Sequence, residues 1–316
     1  MSSSFKGFRS ALVTGGAGFV GLHLVDAALA RGLRVRVLDN FSTASPSNLK
    51  PYARRIEVVR GDIRDPRAAR RAVKGMDAVF HCAAIRSVMK SVEDPFLAHE
   101  VNATGALVML DASSAAGVKH FLFTSTSAVY GLAVAPRQRE DGKLRPMSPY
   151  GVAKLAAELY ANYYFLEKGL PTTSVRIFNV YGPRQNPESR YSLAVPGILD
   201  RIRRGRPPVV DGTGRQARDF VYVGDLMAAC FAILGNPKSY GKSYNIGSGR
   251  ATSVNDLVRN LLSITGSRLK PVHGPRRKGD PERTCADVGL IRRELGWKPK
   301  VGLNRGLTEV VRWPAN

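Results

Sequence analysis

The sequence predicts an α/β protein with a doubly wound parallel sheet, followed by a smaller mixed α/β domain. Short apolar strands alternate with helical segments over residues 1–180, as is typical of a parallel sheet covered by helices on both faces. A glycine-rich turn joins the first strand to the first helix. After Asn179 the pattern changes to loops, short strands and separate helices. We therefore expect one domain over 1–180 and a second over 181–316, with the chain crossing back to the first around 219–235.

The composition indicates a globular protein with a substantial core. The chain has 316 residues, of which 44% are hydrophobic and 23% charged, and a chain of this length can bury a large apolar interior. Cys82, Cys230 and Cys285 are widely spaced and lack metal-ligand spacing. We therefore expect no metal site, no disulfide framework and a cytoplasmic location. No signal peptide is visible, and the apolar runs are too short to span a bilayer.

The chain is strongly basic, with a formal net charge of +23. Its lysines and arginines are dispersed in pairs rather than gathered in one block, and no nucleic-acid motif accompanies them. We therefore expect neither specific nucleic-acid binding nor membrane binding. Dispersed positive charge can instead steer an anionic small substrate toward the protein.

The first strand leads straight into a glycine turn. Ser10 to Thr14 reads as a short apolar strand, Gly15, Gly18 and Gly21 follow at even spacing, and a helix runs from about Phe19 to Arg31. The first glycine allows a tight turn, the second lets the backbone approach a pyrophosphate, and the third lets helix and strand pack closely. This order of elements predicts a Rossmann-like dinucleotide site.

An acidic residue ends the second strand, which runs from Arg34 to Leu38 and is followed by Asp39 and Asn40. A carboxylate about 20 residues past the glycine turn can bind both ribose hydroxyls and repel a 2′-phosphate. The sequence therefore favours NAD over NADP.

The third and fourth strands end in residues that suit the same cofactor. Ile56 to Arg60 is followed by Asp62, which is placed to accept a hydrogen bond from the adenine amino group. Asp77 to His81 is followed by Ala83 and Ala84, whose small side chains leave room for the cofactor.

Hydroxyl side chains end the fifth strand. A long helical stretch is expected from about Asp94 to Ala116, then a strand from Lys119 to Thr124, and a sixth strand from Thr172 to Ile177. Four hydroxyl residues run from Thr124 to Ser127. Ligands of α/β sheets bind at the carboxyl ends of the strands, so we expect these side chains to face a ligand.

A tyrosine and a lysine stand four residues apart in the next helical segment. Tyr150 and Lys154 fall on one face of a helix that reads through Tyr163. An ammonium near a phenol favours the phenolate and lowers its pKa. We therefore expect Tyr150 to act as a general base or acid near neutral pH.

The second domain is predicted from shorter elements. They are a helix from Tyr191 to Arg204 interrupted near Pro196, strands around Val209 and Phe220, and helices near Asp225–Leu234 and Ser253–Ile264.

These motifs together resemble the extended short-chain dehydrogenase/reductases of the UDP-glucose 4-epimerase group. The resemblance spans nearly the whole chain, and the spacing G-x-x-G-x-x-G is the form found in short-chain dehydrogenase/reductases. The motifs that carry it are Thr14 to Gly21, Leu38 to Thr43, Gly61 to Ile63, Thr126 to Gly131, Tyr150 to Lys154, Arg176 to Gln185, Arg218 to Val223, Arg277 to Asp280, Ala286-Asp287 and Leu295 to Trp297.

The resemblance implies a tightly held NAD and an epimerisation at C4 of a UDP-sugar. Tyr150 would take the proton from the sugar O4 while hydride passes from C4 to the nicotinamide. The 4-keto sugar would then rotate and receive the hydride on its other face. Lys154 would hold the nicotinamide ribose and keep Tyr150 ionised, and Thr126 would hydrogen-bond O4.

The resemblance also implies a wider set of contacts. Cofactor contacts are expected from Gly15, Gly18, Phe19, Val20, Gly21, Asp39, Asn40, Ser42, Thr43, Asp62, Ile63, Ala83, Ala84, Arg86, Asn102, Thr124, Tyr150, Lys154 and Phe178. Substrate contacts are expected from Arg86, Ser125, Thr126, Ser127, Tyr150, Asn179, Arg190, Leu193, Ala194, Val209, Asp211, Arg218, Arg277 and Asp280. Asp211 stands where many relatives have Tyr, so packing against the base would differ there. A homodimer through helices near 94–116 and 149–168 is also implied.

The residue after Thr126 bears on the reaction. Dehydratase relatives carry an acidic residue there, and UDP-glucuronate decarboxylases usually carry a Glu. Here Ser127 and Ala128 occupy that place. The resemblance therefore favours epimerisation over dehydration or decarboxylation.

Three positions bear on the sugar. Thr284 occupies the gate position that is large and aromatic in relatives restricted to glucose and galactose. Arg86 and Arg190 depart from the family pattern, and either could face a carboxylate at C6, bind a cofactor phosphate or point to solvent. We therefore expect UDP-glucuronate interconverting with UDP-galacturonate, with UDP-glucose and UDP-N-acetylglucosamine as alternatives.

Overall fold

The computed structural model describes residues 5–132, 135–186, 194–275 and 281–314. Its strands, in chain order, are β1 (Ser10–Thr14), β2 (Arg34–Asp39), β3 (Ile56–Arg60), β4 (Ala78–His81), β5 (His120–Thr126), β6 (Thr172–Ile177), β7 (Asn179–Tyr181), β8 (Val209–Asp211), β9 (Ala217–Tyr222), β10 (Lys242–Ile246), β11 (Ala251–Ser253) and β12 (Val272–Gly274). Its helices are α1 (Phe19–Leu29), α2 (Pro66–Val73), α3 (Val88–Glu93), α4 (Pro95–His99), α5 (Gly105–Ala115), α6 (Pro149–Lys168), α7 (Ala194–Arg203), α8 (Val223–Ile233), α9 (Val254–Thr265), α10 (Gly289–Leu295) and α11 (Leu303–Arg312).

Seven strands form one parallel sheet in the order β10-β6-β5-β4-β1-β2-β3. The chain moves outward in one direction from β1 through β2 to β3, then returns to start again at β4. The carboxyl ends of β1 and β4 therefore flank the point where the strand order reverses, which is where open α/β sheets bind ligands. This architecture confirms the predicted fold class.

Helices cover both faces of the sheet. On one face α1 and α8 pack around Leu24 and Leu226, and on the other α2, α5 and α6 pack around Leu110 and Ala161. All four of these residues are almost fully buried. The two apolar layers hold the strands rigidly, so the loops at their ends have a fixed base.

The second part of the chain builds a smaller layer beside this sheet. A three-stranded sheet has the order β11-β9-β7, and β12 pairs with β8. Helices α7, α9 and α11 enclose a separate apolar cluster that includes Tyr181, Leu257 and Leu307. The chain also returns to the main sheet, since β10 pairs with β6 and α8 packs on α1.

Four predicted elements differ from those observed. The expected helix from 94 to 116 is divided into α4, a π-helical turn over Glu100–Thr104, and α5. Helix α6 continues to Lys168, where Gly169 ends it with φ of 66°. Strand β5 extends through Thr126, because its register with β6 continues to the pair Thr126 and Ile177. Helix α7 also runs through Pro196 without interruption, since proline in a first turn removes no helical hydrogen bond.

Within the described ranges, no helix combines the length and the apolar character needed to cross a bilayer.

Candidate active site

The glycine turn after β1 leaves no space for side chains. Gly15 has φ of 67°, and a Cβ there would lie 2.8 Å from the backbone of Ala83. A Cβ at Gly21 would overlap the Gly15 carbonyl oxygen, and the Gly18 amide donates to that same oxygen at 3.1 Å. Bare backbone at the start of a helix is what a pyrophosphate needs for close approach. The turn therefore fits a dinucleotide, with Phe19 and Val20 opening the helix behind it.

Asp39 is built into the rim of this turn. One carboxylate oxygen accepts from the Ala17 amide at 3.0 Å and the other from the Phe41 amide at 2.8 Å. A carboxylate has further acceptor sites on both oxygens, so Asp39 can also receive ribose hydroxyls. The exposed residues Ser42 and Thr43 continue this rim.

Asp62, for which we predicted a contact with adenine, already has partners within the protein. Its carboxylate is engaged by Arg64, at 2.9 Å and 3.0 Å, and by the Asn40 amide at 3.0 Å. Hydrogen bonds from Arg64 lower the pKa of Asp62 to about 2. An adenine amino group would therefore share a carboxylate that already forms an ion pair. Ile63, the next residue, is buried beneath it.

Asn102 fixes the loop that follows β4. Its Oδ1 accepts from the Ile85 amide and its Nδ2 donates to the Ile85 carbonyl, both at 2.9 Å. The side chain is buried in the π-helical turn, and such turns often occur at functional sites. Asn102 therefore positions the segment from Ala83 to Arg86, and that task occupies its amide.

The end of β5 is tied to α6 by three consecutive residues. The Thr124 carbonyl accepts from the Lys154 Nζ at 2.7 Å. The Ser125 hydroxyl donates to the Glu158 carboxylate. Thr126 lies beside the Tyr150 phenol, and its Oγ1 accepts from the Ala128 amide at 3.1 Å. The Ser125 hydroxyl therefore contacts the helix, and its contact with a substrate stays a prediction.

Tyr150 stands at the start of α6 and is partly exposed. Burial raises the pKa of its phenol, while the neighbouring Thr126 hydroxyl and the charge of Arg86 act in the opposite direction. The expected net lowering by Lys154 is therefore absent from this structure. The phenol is nevertheless placed beside a second hydroxyl and near a cation, which is an arrangement suited to proton transfer.

Lys154 lies one helical turn further along α6 and is only 2% exposed. Burial lowers the pKa of its ammonium to about 8, and the nearby Cys82 and Glu158 oppose that change. Its Nζ also lies 4.5 Å from the centre of the Phe123 ring. Near neutral pH it is therefore a positive charge held below the end of β5.

Arg86 reaches the same edge from the loop after β4. Burial lowers the pKa of its guanidinium and the nearby Tyr150 opposes this change, although much of its side chain is exposed. No carboxylate in the described ranges forms an ion pair with it. The structure therefore brings Arg86, Thr126, Tyr150 and Lys154 together.

The remaining predicted residues are distributed around this centre. Phe178 is buried in a cluster with Val129 and Tyr130 rather than exposed to a ligand. Asn179 and Ala194 line one small cavity together. Val209 and Asp211 lie on β8, Arg218 lies on β9, and Ser127 begins a short 3₁₀ turn. The predicted contacts Arg190, Leu193, Arg277 and Asp280 lie outside the described residues.

The side-chain hydroxyl of Thr284, in the C-terminal part of the chain, is buried. Its amide donates to the Ala217 carbonyl at 3.0 Å, whereas its Oγ1 is buried and has no hydrogen-bond partner in the described part of the chain. A buried hydroxyl without a partner is costly, so this group is available to a ligand.

The sequence analysis did not single out two residues that lie behind this site. Glu158 and Arg176 form a buried ion pair directly behind the end of β5, with the closest nitrogen and oxygen 2.9 Å apart. The spacing Tyr150, Lys154, Glu158 places all three on one helix face. That spacing could have indicated a role for Glu158. It becomes informative only when Arg176 on β6 is known to be its partner.

The fold and the site define an NAD-type dinucleotide enzyme with a tyrosine and a lysine at its reactive edge. Residues 11–247 match the NAD dependent epimerase/dehydratase family. The chain belongs to that family, an extended short-chain dehydrogenase/reductase family whose cofactor is NAD. This confirms the predicted resemblance to the UDP-glucose 4-epimerase group.

Individual relatives match over nearly the whole chain. A putative UDP-glucose 4-epimerase of Methanocaldococcus jannaschii is 35% identical over 307 residues, which cover 96% of this chain and 98% of that protein. A UDP-glucose 4-epimerase of Thermotoga maritima, solved with UDP-glucose, is 38% identical with a TM-score of 0.91, covering 96% of this chain and 98% of that one. MoeE5, solved with UDP-glucuronic acid and NAD, is 32% identical with a TM-score of 0.87 over the same shares.

Proposed function

We propose that this protein catalyses the epimerisation of a UDP-sugar at C4. The observation that carries the proposal is the placement of Tyr150 against Thr126, with Lys154 one turn along the same helix. A phenol and a hydroxyl side by side can share one substrate hydroxyl, and a nearby cation supports the anionic form of the phenol.

In this mechanism each side chain has a limited task. Tyr150 removes the proton from the sugar O4 and later returns it, while Thr126 orients that oxygen. Lys154, held by the Thr124 carbonyl, supplies positive charge beneath the pair. Bound NAD supplies the hydride acceptor and donor chemistry at C4. The glycine turn and Asp39 hold that cofactor, and the donors of Arg218 suit the diphosphate.

The favoured substrate is UDP-glucuronate, interconverting with UDP-galacturonate. Arg86 is a cation near Tyr150 that forms no ion pair with a carboxylate among the residues the structure describes, so a C6 carboxylate could complete its charge. Thr284 offers a small side chain at the gate position, and its hydroxyl has no hydrogen-bond partner among the described residues. MoeE5, which was solved with UDP-glucuronic acid, supports this choice. Arg190 remains a second proposed partner for the carboxylate.

A neutral or N-acetylated UDP-sugar is the second candidate. The relatives from M. jannaschii and T. maritima carry names that refer to UDP-glucose. Dehydration or decarboxylation is less favoured, because Ser127 and Ala128 follow Thr126 in a 3₁₀ turn where those reactions would require an acid.

The proposal extends to assembly and organisation. We propose a homodimer through α3, α4 and α6, which share an exposed apolar face. The face includes Phe96, which is 82% exposed, and Leu159, which is 64% exposed.

We also propose that 1–180 binds the cofactor and that 181–316 binds the sugar nucleotide. We propose further that the protein works in the cytoplasm, where its free cysteines would stay reduced.

The experiment is to incubate the purified protein with UDP-glucuronate, UDP-glucose and UDP-N-acetylglucosamine separately, without added NAD, and to resolve C4 epimers by chromatography. Conversion of UDP-glucuronate alone, at unchanged mass, is the expected result. Conversion of the neutral sugars alone would support the epimerase activity but overturn the proposed contact of a C6 carboxylate with Arg86 or Arg190. A product lighter by water or carbon dioxide would overturn the proposed reaction.

A further inference from the structure

A buried network of polar side chains lies behind the proposed reactive edge. Glu158 follows Lys154 by one turn on α6, and Arg176 lies on β6. Each of these two residues is about 5% exposed. Charged groups are rarely buried so deeply unless they are paired, so the position of this pair requires a reason.

The pair is held with full hydrogen-bond geometry. Arg176 donates its Nε to both Glu158 oxygens, at 3.1 and 3.2 Å, and its Nη2 to one of them at 2.9 Å. The hydroxyls of Ser125 and Ser243 also donate to the same carboxylate. Such a forked contact fixes the orientation of both groups.

This geometry joins the helix to two neighbouring strands at the point where the reactive residues begin. Ser125 and Arg176 are register partners on β5 and β6, and both converge on Glu158. Ser125 itself lies between the residue whose carbonyl holds Lys154 and the residue that contacts Tyr150. Displacement of Glu158 would therefore move both contacts.

The network continues toward the second domain. Arg176 donates its Nη1 to the Tyr130 hydroxyl at 2.9 Å, and that hydroxyl donates to the Asn245 Oδ1 at 2.7 Å. Asn245 donates to the Gln138 carbonyl at 2.8 Å, and Gln138 accepts from the Cys285 amide. The chain of contacts thus ends one residue from Thr284, at the gate position.

We propose that Glu158, braced by Arg176, is a positioning residue that holds the end of β5 against α6. The arrangement it maintains is that of Thr126, Tyr150 and Lys154. This role rests on the proposed function, because it is in C4 epimerisation that those three residues must act together. A buried pair contributes little to stability compared with apolar replacements, so positioning is the advantage that the pair offers.

The charges around Lys154 determine whether removal of Glu158 raises or lowers the pKa of Lys154. His81 acts on it from β4 and Cys82 from the residue after that strand, Glu158 lies on its own helix, and Arg176 stands behind Glu158 on β6. Among these groups, Glu158 is the carboxylate that favours the ammonium form. Its removal therefore makes Lys154 lose its proton at a lower pH.

The test compares Glu158→Gln with Glu167→Gln, an exposed glutamate near the end of the same helix. Lysine labelled with ¹³C at Cε is titrated by NMR in the NAD-bound protein without UDP-sugar, and the signal missing from Lys154→Met identifies Lys154. We expect Glu158→Gln to lower the Lys154 midpoint by about one pH unit, and to lower kcat at least about tenfold with KM and bound NAD unchanged. Glu167→Gln should match the wild type.

An unchanged Lys154 midpoint in Glu158→Gln would overturn the proposal even if kcat fell, because a merely structural loss does not alter that titration. If Glu158→Gln does not fold, Ser125→Ala decides, since it removes one hydroxyl and keeps the ion pair. We expect its kcat to fall about tenfold at unchanged KM, and a kcat within about twofold of wild type would refute the positioning role. A wild type that converts no UDP-sugar would remove the proposed function, and the NMR titration would still test the role of Glu158.

Discussion

The side-chain amide of Asn102 forms two hydrogen bonds with the backbone of Ile85. It accepts from the Ile85 amide and donates to the Ile85 carbonyl, at 2.9 Å each. This contact joins a π-helical turn to the loop that carries Arg86. It explains why a helix that the sequence predicts as continuous is widened at this point, since the wider turn places the amide over the loop.

Substitution Asn102→Ala should therefore release that loop. Two part-buried backbone groups of Ile85 lose their partners, at a cost of about 1–3 kcal/mol, so the melting temperature should fall by several degrees. Turnover should fall as well, because Arg86 moves with the loop. Differential scanning calorimetry and kcat would be compared with Asn162→Ala, an exposed residue on α6. Equal losses in both variants would contradict the assignment.

Substitution Gly21→Ala should abolish cofactor retention. The new Cβ would overlap the Gly15 carbonyl oxygen, and the turn must then move away from the position that a pyrophosphate requires. Bound NAD is measured after denaturation of the purified protein. Gly302→Ala is the matched control, because a Cβ there meets nothing within 4 Å. A Gly21→Ala protein that retains stoichiometric NAD would show that the turn tolerates the change.

Substitution Tyr150→Phe should keep NAD bound and lower kcat by about 10²- to 10⁴-fold, which is the usual contribution of a positioned acid or base. Its partner Thr126 and the rest of the site remain in place. Tyr163→Phe, at an exposed position on the same helix, should leave kcat unchanged. Activity near the wild-type value in Tyr150→Phe would remove this residue from the mechanism.

The pH dependence of turnover should report Lys154. The folded-state pKa of this lysine is lowered to about 8, so the ammonium is present below that pH and is lost as the pH rises through it. The kcat profile should therefore decline on an alkaline limb near pH 8. In Lys154→Arg the residual activity should lack this limb, because the guanidinium stays protonated. A flat profile to pH 10 in the wild type would disagree with the role of this charge.

The exposed apolar face of α3, α4 and α6 should bury itself in a dimer. Leu159→Glu places a charge at its centre, and a buried unpaired charge is strongly unfavourable, so the variant should elute as a monomer with light-scattering mass near 34.3 kDa. Val58→Glu, on the edge strand β3, is the control and should match the wild type. A monomeric wild type would refute the proposed interface.

The local features of this fold were predictable from sequence, and the contacts between distant elements were not. The glycine turn and β1 were placed correctly because glycine spacing and apolar runs are local signals. The length of β5 depends on its register with β6, which no window of sequence contains. For the same reason the sequence did not indicate that the Ser125 hydroxyl donates to Glu158, 33 residues later.

The ion pair at Asp62 shows the same limit in electrostatics. Its neighbour Arg64 is only two residues away, yet the sequence alone did not indicate that the guanidinium folds back onto the carboxylate. The predicted direction of the pKa shift of Tyr150 was also wrong. Spacing predicts that the lysine lowers the pKa of the phenol, whereas burial raises that pKa, and Thr126 and Arg86 rather than Lys154 act in the opposite direction.

The position of β10 has a consequence for how the protein is made. This strand covers the outer edge of β6, yet it is encoded some 65 residues after it, beyond the loops and strands of the second domain. While the chain is being synthesised, β6 therefore presents unpaired backbone groups, and such open edges invite pairing with other chains. The seven-stranded sheet is therefore completed late in synthesis, after β10 has been made. Its completion depends on β10, a strand that supplies none of the proposed reacting groups.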